Sequence, residues 1–267
     1  MRISVIGAGT IGRAVIECLL KARSGNEIMA TRRNTERLVD LKDMGVEVTS
    51  NNRRAAAWGD VIILCVKPGD LREILEEIKG VAGDKLIISL AAAAPLKFFK
   101  RLMPEARFVR AMTNIAVLVQ EAFTAYSTDG DVTEEDENNI VEIFGAMGEY
   151  DKVDEKYLDA VTGLSGSCPA YIVTFIEAFM YAGLKVGLAR EFALYSAAQS
   201  VLGTAKLILE SRKHPAELKD MVMTPGGVTI EGIYMLEDRR VRTAVMRAVE
   251  AATEKASLIS KALVEGQ

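Results

Sequence analysis

The chain has 267 residues, 49% of them apolar, so it is long enough and apolar enough to form one large domain or two ordinary ones. Its formal net charge of −4 and sequence pI of about 5.4 show no basic excess, which argues against nucleic acid or an anionic membrane as the main partner. A small-molecule ligand is the better starting hypothesis.

No leader sequence, membrane span or metal centre is expected. The N-terminus, MRISVIGAG, passes from one arginine directly into a strand pattern. The longest apolar stretch, AYIVTFIEAFMYAGL, carries Glu177 and is too short for an uninterrupted span. Cys18, Cys65 and Cys168 are odd in number and far apart, which favours buried thiols over a disulfide framework or a metal site. We therefore expect a cytoplasmic protein.

The first predicted element is the strand RISVI at residues 2–6, followed by a glycine-rich turn and the helical pattern GRAVIECLLKA. The turn has the spacing G-x-G-x-x-G, in which glycine lets the backbone approach a pyrophosphate at the N-terminus of the next helix. A plain tight turn is the alternative, but the flanking strand and helix favour a dinucleotide site. Its predicted cofactor-binding residues are Gly7, Ala8, Gly9, Thr10, Ile11 and Gly12.

Strand and helix patterns alternate through the first half of the chain. Further strands are predicted at 27–31, 46–49, 60–66, 85–90 and 106–112, with helices at 35–45, 53–58 and 70–80. Repeated β-α units with continuous apolar strands are typical of a parallel sheet covered on both faces. We predict a doubly wound Rossmann domain (α/β) over residues 1–152, with edge strands at 123–127 and 149–153.

The second strand ends in Ala30-Thr31-Arg32-Arg33-Asn34, where a site that prefers NAD usually carries Asp or Glu for the ribose 2′-hydroxyl. Arg32 and Arg33 instead offer planar guanidinium groups that fit the oxygens of a 2′-phosphate. NADP(H) is therefore the predicted cofactor, with NAD(H) left open. The alternative is a solvated basic pair at the start of a helix.

Other strand ends should complete the cofactor cleft, because ligands of open α/β sheets bind beyond the carboxyl ends of the strands. The residues concerned are Cys65, Val66, Lys67, Pro68, the alanines at 91–94, and Asn114. Asn114 is equally well interpreted as a turn residue.

From about Lys152 onward helical patterns take over, and residues 153–267 are predicted to form an all-helical domain. Its helices are so apolar that part of their surface should be buried against another subunit, which predicts a homo-oligomer. The segment Thr224-Pro225-Gly226-Gly227-Val228-Thr229 interrupts the pattern before the helix IEGIYMLE. Free amides at a helix N-terminus favour an anion such as a carboxylate, and the hydroxyls of Thr224 and Thr229 favour binding over a simple turn.

The chain contains one histidine, His214, in a stretch interpreted as an exposed link between helices. Dehydrogenase schemes that depend on a histidine acid-base pair are therefore disfavoured. A protonated cyclic imine is already a strong hydride acceptor, so NADPH beside a carboxylate site would nearly suffice, with catalysis coming from positioning.

Several stretches resemble the pyrroline-5-carboxylate reductase family, which reduces a cyclic imine to proline at the end of proline biosynthesis. They are AVTGLSGSCPAY (160–171), HPAELKDMVMTPGGVTIEGIYMLE (214–237), VMRAVEAATEKA, GAGTIG, CVKP and RAMTNIA. The resemblance spans essentially the whole chain and implies reduction of 1-pyrroline-5-carboxylate to L-proline by NADPH or NADH. It also implies a dimer with interlocked helical domains, often built into decamers, whose active sites use helices of both subunits.

The resemblance implies roles for individual residues as well. The residues that would hold the substrate carboxylate are Gly226, Gly227, Val228 and Thr229. Thr229 would also hydrogen-bond near the imine nitrogen and Thr224 takes the place of a family Ser or Thr, so these two are the implied catalytic residues. The implied cofactor positions are Gly7 to Gly12, Arg32, Asn52, Cys65 to Pro68, Ala92 and Ala93.

The chain departs from the family pattern at three places. Cys168 replaces a glycine in SGSCPAY, Asn114-Ile115-Ala116 stands where the family has N-T-P, and alanine fills 91–94 in place of A-A-G. The last two departures lie on the nicotinamide side of the predicted cleft, so they bear on the preference between NADPH and NADH.

Two other kinds of protein stay open. A β-hydroxyacid dehydrogenase or a reductase of another imine would have a related fold. The dehydrogenases depend on a lysine shortly after their glycine motif, whereas here Gly163-x-x-Gly166 is followed by no lysine until Lys185. The second kind is a non-catalytic oligomer that senses NADP(H), although a sensor has no need of an anion site beside the nicotinamide.

Overall fold

The computed structural model describes residues 1–22 and 25–265. Its strands are β1 (Arg2–Ile6), β2 (Glu27–Thr31), β3 (Glu47–Thr49), β4 (Val61–Leu64), β5 (Leu86–Ser89), β6 (Arg107–Met112), β7 (Ala122–Thr128) and β8 (Gly148–Lys152). Its α-helices are α1 (Thr10–Lys21), α2 (Val39–Asp43), α3 (Asn52–Trp58), α4 (Leu71–Ile78), α5 (Leu96–Leu102), α6 (Glu134–Met147), α7 (Leu158–Val161), α8 (Cys168–Lys185), α9 (Arg190–Ser211), α10 (Pro215–Val222), α11 (Val228–Asp238) and α12 (Val241–Glu265).

The described strands form one sheet in the order β3-β2-β1-β4-β5-β6-β7-β8. The first six have the 3-2-1-4-5-6 order of the Rossmann fold, and β1 pairs in parallel with both β2 and β4. The predicted fold class is therefore confirmed, with a helical region after the sheet. β7 and β8 extend the sheet as predicted, but β7 runs antiparallel to β6, so the sheet is not wholly parallel. The connection at 113–121 is too short for the crossover that a parallel pair requires.

Both faces of the sheet are buried, as continuous apolar strands require. Along β4, Ile63 points into the core on one face while Ile62 and Leu64 point into the core on the other. Helix α1 packs on the first face and α4 on the second. Because both faces of the sheet are packed, the carboxyl ends of the central strands are fixed in place, and the predicted cofactor residues lie at these ends.

Helix α6 lies in a stretch where the sequence patterns predict no helix. It begins with a capping box in which Thr133 and Asp136 satisfy each other's backbone amides. Its buried residues are Ile140, Ile143, Phe144 and Met147, at the spacing of one helix face. The acidic run before them resembles a polar loop, which conceals this pattern.

The chain divides into two compact units, described separately here. The first comprises Met1–Ser167 together with the residues from Val249 onward, and the second comprises Cys168–Ala248. The predicted domain boundary at 152/153 coincides with the end of β8, whereas the units divide fifteen residues further on, at Ser167. The difference arises because residues 153–167 and the later turns of α12 pack with the sheet.

The second unit buries few side chains of its own. Among the described residues of its helices, the buried ones are Met180 and Gly183 of α8 and Ala193 of α9. Helices α10 and α11 contain no buried residue in the described chain. A Cβ at Gly183 would lie 2.6 Å from Ala193 Cβ, so α8 and α9 approach closely there. Large side chains such as Phe192 and Tyr195 are 61% and 73% exposed. Exposure on this scale is typical of a protein surface that another protein covers.

Two helical segments are long and apolar enough to cross a membrane, judged by length and composition alone. They are Glu155–Lys185 and Arg190–Ser211, and 11% and 6% of their most apolar windows are buried. The expectation that the longest apolar stretch is too short for a span therefore does not hold for the helix that contains it. The sequence pattern missed the extension because the helical path continues backward through a π-helical turn at Thr162–Gly166.

Candidate active site

The glycine-rich turn after β1 has the shape of a dinucleotide cradle. Gly7 has a left-handed φ of +92°, and a Cβ there would lie 2.5 Å from Val66 Cγ1 and 2.8 Å from Cys65 O. A Cβ at Gly12 would lie 2.5 Å from Gly7 O, whereas the nearest atom to one at Gly9 is 4.0 Å away. Gly7 thus serves the tight turn, Gly12 the close packing of the helix, and Gly9 the open approach for a pyrophosphate, which are the three glycine roles of the motif. The residues present therefore fit a dinucleotide.

The N-terminus of α1 faces the cradle without a side-chain cap. Gly9 is the N-cap residue, and within the described chain no side chain caps the helix and its first turn carries no acidic residue. The first amides of α1, at Thr10, Ile11 and Gly12, lie where N–H donors and the helix dipole stabilise an anion.

Asn52 supports the cradle through Thr31. The hydroxyl of Thr31 accepts a hydrogen bond from the Gly7 amide at 3.3 Å and donates to Asn52 Oδ1 at 2.7 Å. The Asn52 amide in turn donates to Glu77 Oε2 at 2.9 Å. This chain of bonds holds the end of β2 against the glycine turn. Direct cofactor contact by Asn52 stays a prediction.

A cavity of about 620 Å³ opens beside the cradle. Its lining residues are Gly7, Gly9, Arg32, Arg33, Asn34, Arg37, Cys65, Val66, Lys67 and Asp70. The cavity thus joins the predicted residues at the ends of β1, β2 and β4. Among the described residues, four cationic side chains and one carboxylate line it, a balance that suits a polyanionic ligand.

Sequence reasoning missed Asn34, Arg37 and Asp70 in this lining. Arg37 lies in the 3₁₀ turn Thr35–Leu38, a few residues after Arg32 and Arg33, so its closeness in sequence to that pair is the signal that could have revealed it. Asp70 follows β4, and no local pattern links it to the arginines.

The two predicted arginines have different environments. Arg32 Nη1 donates to the carbonyl oxygen of Ala8 at 3.0 Å, which draws its side chain across the glycine turn. The side chain of Arg33 is 92% exposed, and its Nη2 lies 3.5 Å from Asp70 Oδ1. The hydrogen bond therefore fixes the Arg32 side chain more firmly than that of Arg33. The carboxylate of Asp70 is an ion-pair partner of Arg33 within the protein.

Cys65 contributes an uncharged thiol to the cavity wall. Desolvation raises the pKa of this thiol to about 12, so the nucleophilic thiolate is scarce at neutral pH. Its amide is used in the sheet, donating to Ile6 O at 2.8 Å. Packing at the end of β4 is its evident structural contribution.

The predicted residues beyond β5 and β6 lie outside the lining of this cavity. Ala93 is buried with a left-handed φ of +57°, an uncommon conformation for alanine. Asn114 Oδ1 accepts from the Ala116 amide at 3.0 Å, and its Nδ2 donates to the carbonyl oxygen of Ser165 at 3.3 Å. Asn114 therefore has the role of a turn residue, and its contact with cofactor stays a prediction.

The predicted anion loop lies in the second unit, between α10 and α11. Gly226 has a φ of +66°, and a Cβ at Gly227 would lie 2.3 Å from Thr224 Oγ1, so both positions require glycine. Gly227 is the N-cap residue of α11, and in the described chain no side chain caps that helix. The first amides of α11, at Val228 and Thr229, are therefore available to a carboxylate. Thr224, Val228 and Thr229 are exposed in the single chain.

His214 has a structural role at the start of α10. Its Nδ1 accepts a hydrogen bond from the Ala216 amide at 3.2 Å, and Pro215 occupies the first helical position. The side chain is exposed, as predicted for a link between helices.

Comparison with known proteins identifies the family. A curated "Pyrroline-5-carboxylate reductase" of Methanosarcina acetivorans is 41% identical over 265 residues, covering 97% of this chain and 98% of the relative. The chain belongs to the pyrroline-5-carboxylate reductase family. A pyrroline-5-carboxylate reductase of Pisum sativum is 38% identical over 260 residues, covering 96% and 94% of the two chains.

Family models match both halves of this pyrroline-5-carboxylate reductase family member. Residues 155–259 match the model described as pyrroline-5-carboxylate reductase dimerisation, and residues 2–93 match the one described as NADP oxidoreductase, coenzyme F420-dependent. A crystal structure of Plasmodium falciparum pyrroline carboxylate reductase with NADP bound superposes with a TM-score of 0.90 at 29% identity, over 97% of this chain and 98% of that chain. The predicted resemblance and enzyme class are confirmed, which removes the β-hydroxyacid dehydrogenase interpretation.

Proposed function

We propose that this chain reduces 1-pyrroline-5-carboxylate to L-proline by hydride transfer from NADPH, with NADH as a second donor, as the last step of proline biosynthesis. The observation that carries the proposal is the glycine loop before α11, whose uncapped amides suit a carboxylate, in a chain that also has a dinucleotide cradle. Family membership and the NADP-bound Plasmodium relative support the reaction and NADP(H) as the cofactor.

The substrate carboxylate binds the loop before α11 in this proposal. The amides of Val228 and Thr229 lie in the first turn of α11, where the helix dipole adds a favourable field, while the Gly227 amide donates to Thr224 O at 3.0 Å and closes the turn. Gly226 permits the left-handed turn that exposes these amides. The residues assigned to substrate binding are Gly226, Gly227, Val228 and Thr229.

Thr229 and Thr224 are the assigned catalytic residues, the first through the imine and the second through the loop that holds the carboxylate. Water protonates the imine nitrogen, which removes the need for a histidine acid-base pair. Thr229 hydrogen-bonds near that nitrogen, and Thr224 packs against Gly227 and keeps the turn closed. The rate gain comes from positioning, which can supply a large share of an enzyme's acceleration.

The first unit binds the dinucleotide, which supplies the hydride when it is present. The glycine turn and the N-terminus of α1 hold the pyrophosphate, and Arg32 and Arg33 hold the 2′-phosphate. The remaining assignments to the cofactor are Asn52, Cys65, Val66, Lys67, Pro68, Ala92, Ala93 and Asn114.

We further propose a cytoplasmic homo-oligomer in which the helical units of two subunits interlock. An apolar groove of about 620 Å³ runs between α8 and α9, and its floor includes Gly183, Ala197 and Val201. The family match for dimerisation at 155–259 includes both helices, so a second copy of the chain is the occupant that fits the groove. Contact with a second subunit would also bury the apolar surfaces of α8 and α9, so these helices need no membrane to cover them.

The test compares two substrates that differ only in the carboxylate. Wild type should oxidise NADPH with 1-pyrroline-5-carboxylate at a kcat/KM about ten- to a hundredfold above that with 1-pyrroline, the range expected for a hydrogen-bonded charge. Thr229→Ala should lower kcat about tenfold while the KM for NADPH changes by less than about twofold, and Thr229→Ser should restore most of the rate. Equal rates with the two substrates would refute the carboxylate site, and tight NADPH binding without turnover of any imine would support the sensor.

A further inference from the structure

A buried arginine lies behind the ends of β5 and β6. The side chain of Arg110, on β6, is 6% exposed. Its Nη1 donates to Glu155 Oε1 at 3.2 Å and its Nη2 donates to Asp159 Oδ1 at 2.5 Å. Glu155 Oε1 also accepts the amide of Leu96, at the start of α5, at 2.7 Å. A buried charge with two carboxylate partners fixes the relative position of these elements, because breaking either contact leaves charge unpaired.

The same carboxylate cluster reaches α12 through one hydroxyl. Ser260 Oγ lies 2.8 Å from Asp159 Oδ1 and 3.1 Å from the carbonyl oxygen of Ala93, so its one proton is shared between these two acceptors. Ser260 itself is 7% exposed. The contact with Ala93 joins residues 167 positions apart in the chain.

This behaviour is unusual for a helical hydroxyl. In helices a serine or threonine hydroxyl commonly donates to the carbonyl four residues earlier. Thr174, Ser200 and Thr204 of this chain do so at 2.7 to 2.9 Å. Ser260 instead donates out of its helix, towards the segment that follows β5.

The segment that Ser260 contacts is held in a strained conformation. Ala93 has a φ of +57°, a left-handed conformation that is strained for an alanine. The neighbouring Ala91 and Ala94 are 3% and 0% exposed, so the backbone here cannot relax into solvent. Strain of this kind persists where the surroundings over-determine the backbone, and it concentrates at functional sites.

We propose that Ser260 is a positioning residue for hydride transfer. Asp159, which is paired with Arg110, orients the Ser260 hydroxyl, whose shared proton also reaches the Ala93 carbonyl oxygen and so fixes the Ala92-Ala93 rim on the nicotinamide side of the cleft. The proposal rests on the proposed function, which assigns that rim to the cofactor. The 2′-phosphate end, beside Arg32, lies at the end of β2, and β1 and β4 lie between β2 and β5 in the strand order, so we expect a change at Ser260 to affect NADPH and NADH alike.

The test removes the hydroxyl and nothing else. Ser260→Ala should lower kcat about three- to tenfold, the effect of one lost hydrogen bond, with NADPH and NADH affected alike and the KM for the imine within about twofold. A primary deuterium isotope effect on kcat, measured with NADPH deuterated at C4, should increase, because misplacement slows the hydride step itself. Ser260→Thr, which keeps a hydroxyl, should restore most of kcat.

Two controls separate positioning from a loss of folded protein. Ser257→Ala makes the same substitution on the same helix, three residues earlier, and should leave kcat and the isotope effect at wild-type values. A thermal melt reports the folded fraction of each variant, and a drop in kcat without a change in the isotope effect would show a merely structural role and overturn the proposal. An unchanged kcat in Ser260→Ala would overturn it too.

A failure of the proposed function is distinguishable, because wild type itself would then show no turnover of 1-pyrroline-5-carboxylate. In that case NADPH binding, followed by its fluorescence, tests the same geometry. Ser260→Ala should then weaken NADPH about threefold or more, the loss of one hydrogen bond, and unchanged binding would refute the contact's importance.

Discussion

At the residue scale, the cofactor preference depends on a few charges around one cavity. Arg32 donates a hydrogen bond to Ala8 O, whereas the Arg33 side chain is mostly exposed and forms an ion pair with Asp70. An exposed ion pair contributes little to folding stability, so we expect Asp70 to affect mainly the affinity for the dinucleotide. The two arginines and Asp70 should therefore have opposite effects on NADPH binding.

Arg32→Ala should raise the KM for NADPH about tenfold or more and change the KM for NADH by less than about twofold, because a charge-assisted hydrogen bond to the 2′-phosphate is lost. Steady-state kinetics with both cofactors measure this. Arg54→Ala, which removes an exposed arginine paired with Glu47 outside the cavity, is the matched control. A parallel loss with NADH would contradict the assignment.

Asp70→Asn should lower the KM for NADPH about two- to fivefold, because it removes a carboxylate from the cavity lining and releases Arg33 for the 2′-phosphate. The KM for NADH should stay near its wild-type value. The gain should shrink in high salt, since exposed charges are screened. Weaker NADPH binding in this variant would show that Asp70 supports the site in some other way.

At the element scale, α6 shows what sequence patterns missed. The predicted strands and most predicted helices of the first half are present, because each carries its own apolar period. The start of α6 instead depends on Thr133 and Asp136, and Asp136 is paired with Arg107 from a distant strand. A contact of that kind leaves no local pattern. The same holds for the antiparallel β7 and for the serine on α12 that reaches Ala93.

The pair of Arg107 and Asp136 should make folding stability depend on acidity. Desolvation opposes ionisation of Asp136, but hydrogen bonds from Arg107 and Thr133 outweigh it and hold the pKa of this carboxyl below its usual value. The folded pKa is therefore depressed, so the stabilisation is complete above the unfolded pKa of about 4 and is lost as pH falls through the folded pKa.

Asp136→Asn should lower the free energy of unfolding by about 2 kcal/mol at pH 7, less than the 3–5 kcal/mol of a fully buried pair because Arg107 is partly exposed. The difference from wild type should narrow below about pH 4. Urea denaturation across this pH range measures both. Glu134→Gln, in the same helical turn but exposed, is the control, and an equal loss of stability in it would contradict the account.

At the scale of the whole molecule, the two units differ in how much apolar surface they bury. The first unit has a core on both faces of its sheet, whereas the helices of the second leave Phe192, Tyr195 and Leu209 largely exposed. The sequence predicted a homo-oligomer from the apolar character of these helices, and the match to the dimerisation family model supports that prediction. It did not predict that residues from Val249 onward belong with the sheet, because that depends on packing between distant parts of the chain.

Ser200→Arg should shift the protein towards monomer and abolish most activity, because it places a charge in the apolar groove between α8 and α9. Size-exclusion chromatography with light scattering measures the mass. Lys206→Gln, on the same helix outside the groove lining, should leave the mass unchanged. A stable dimer in Ser200→Arg would contradict the assignment of the groove.

The most direct test of the central claim is the stoichiometry of the reaction. Purified protein would be given 1-pyrroline-5-carboxylate and NADPH, with NADPH consumption followed by absorbance and proline quantified in the same sample. The account predicts one proline formed per NADPH oxidised. NADPH oxidation without proline, or no oxidation by protein that binds NADPH, would contradict it.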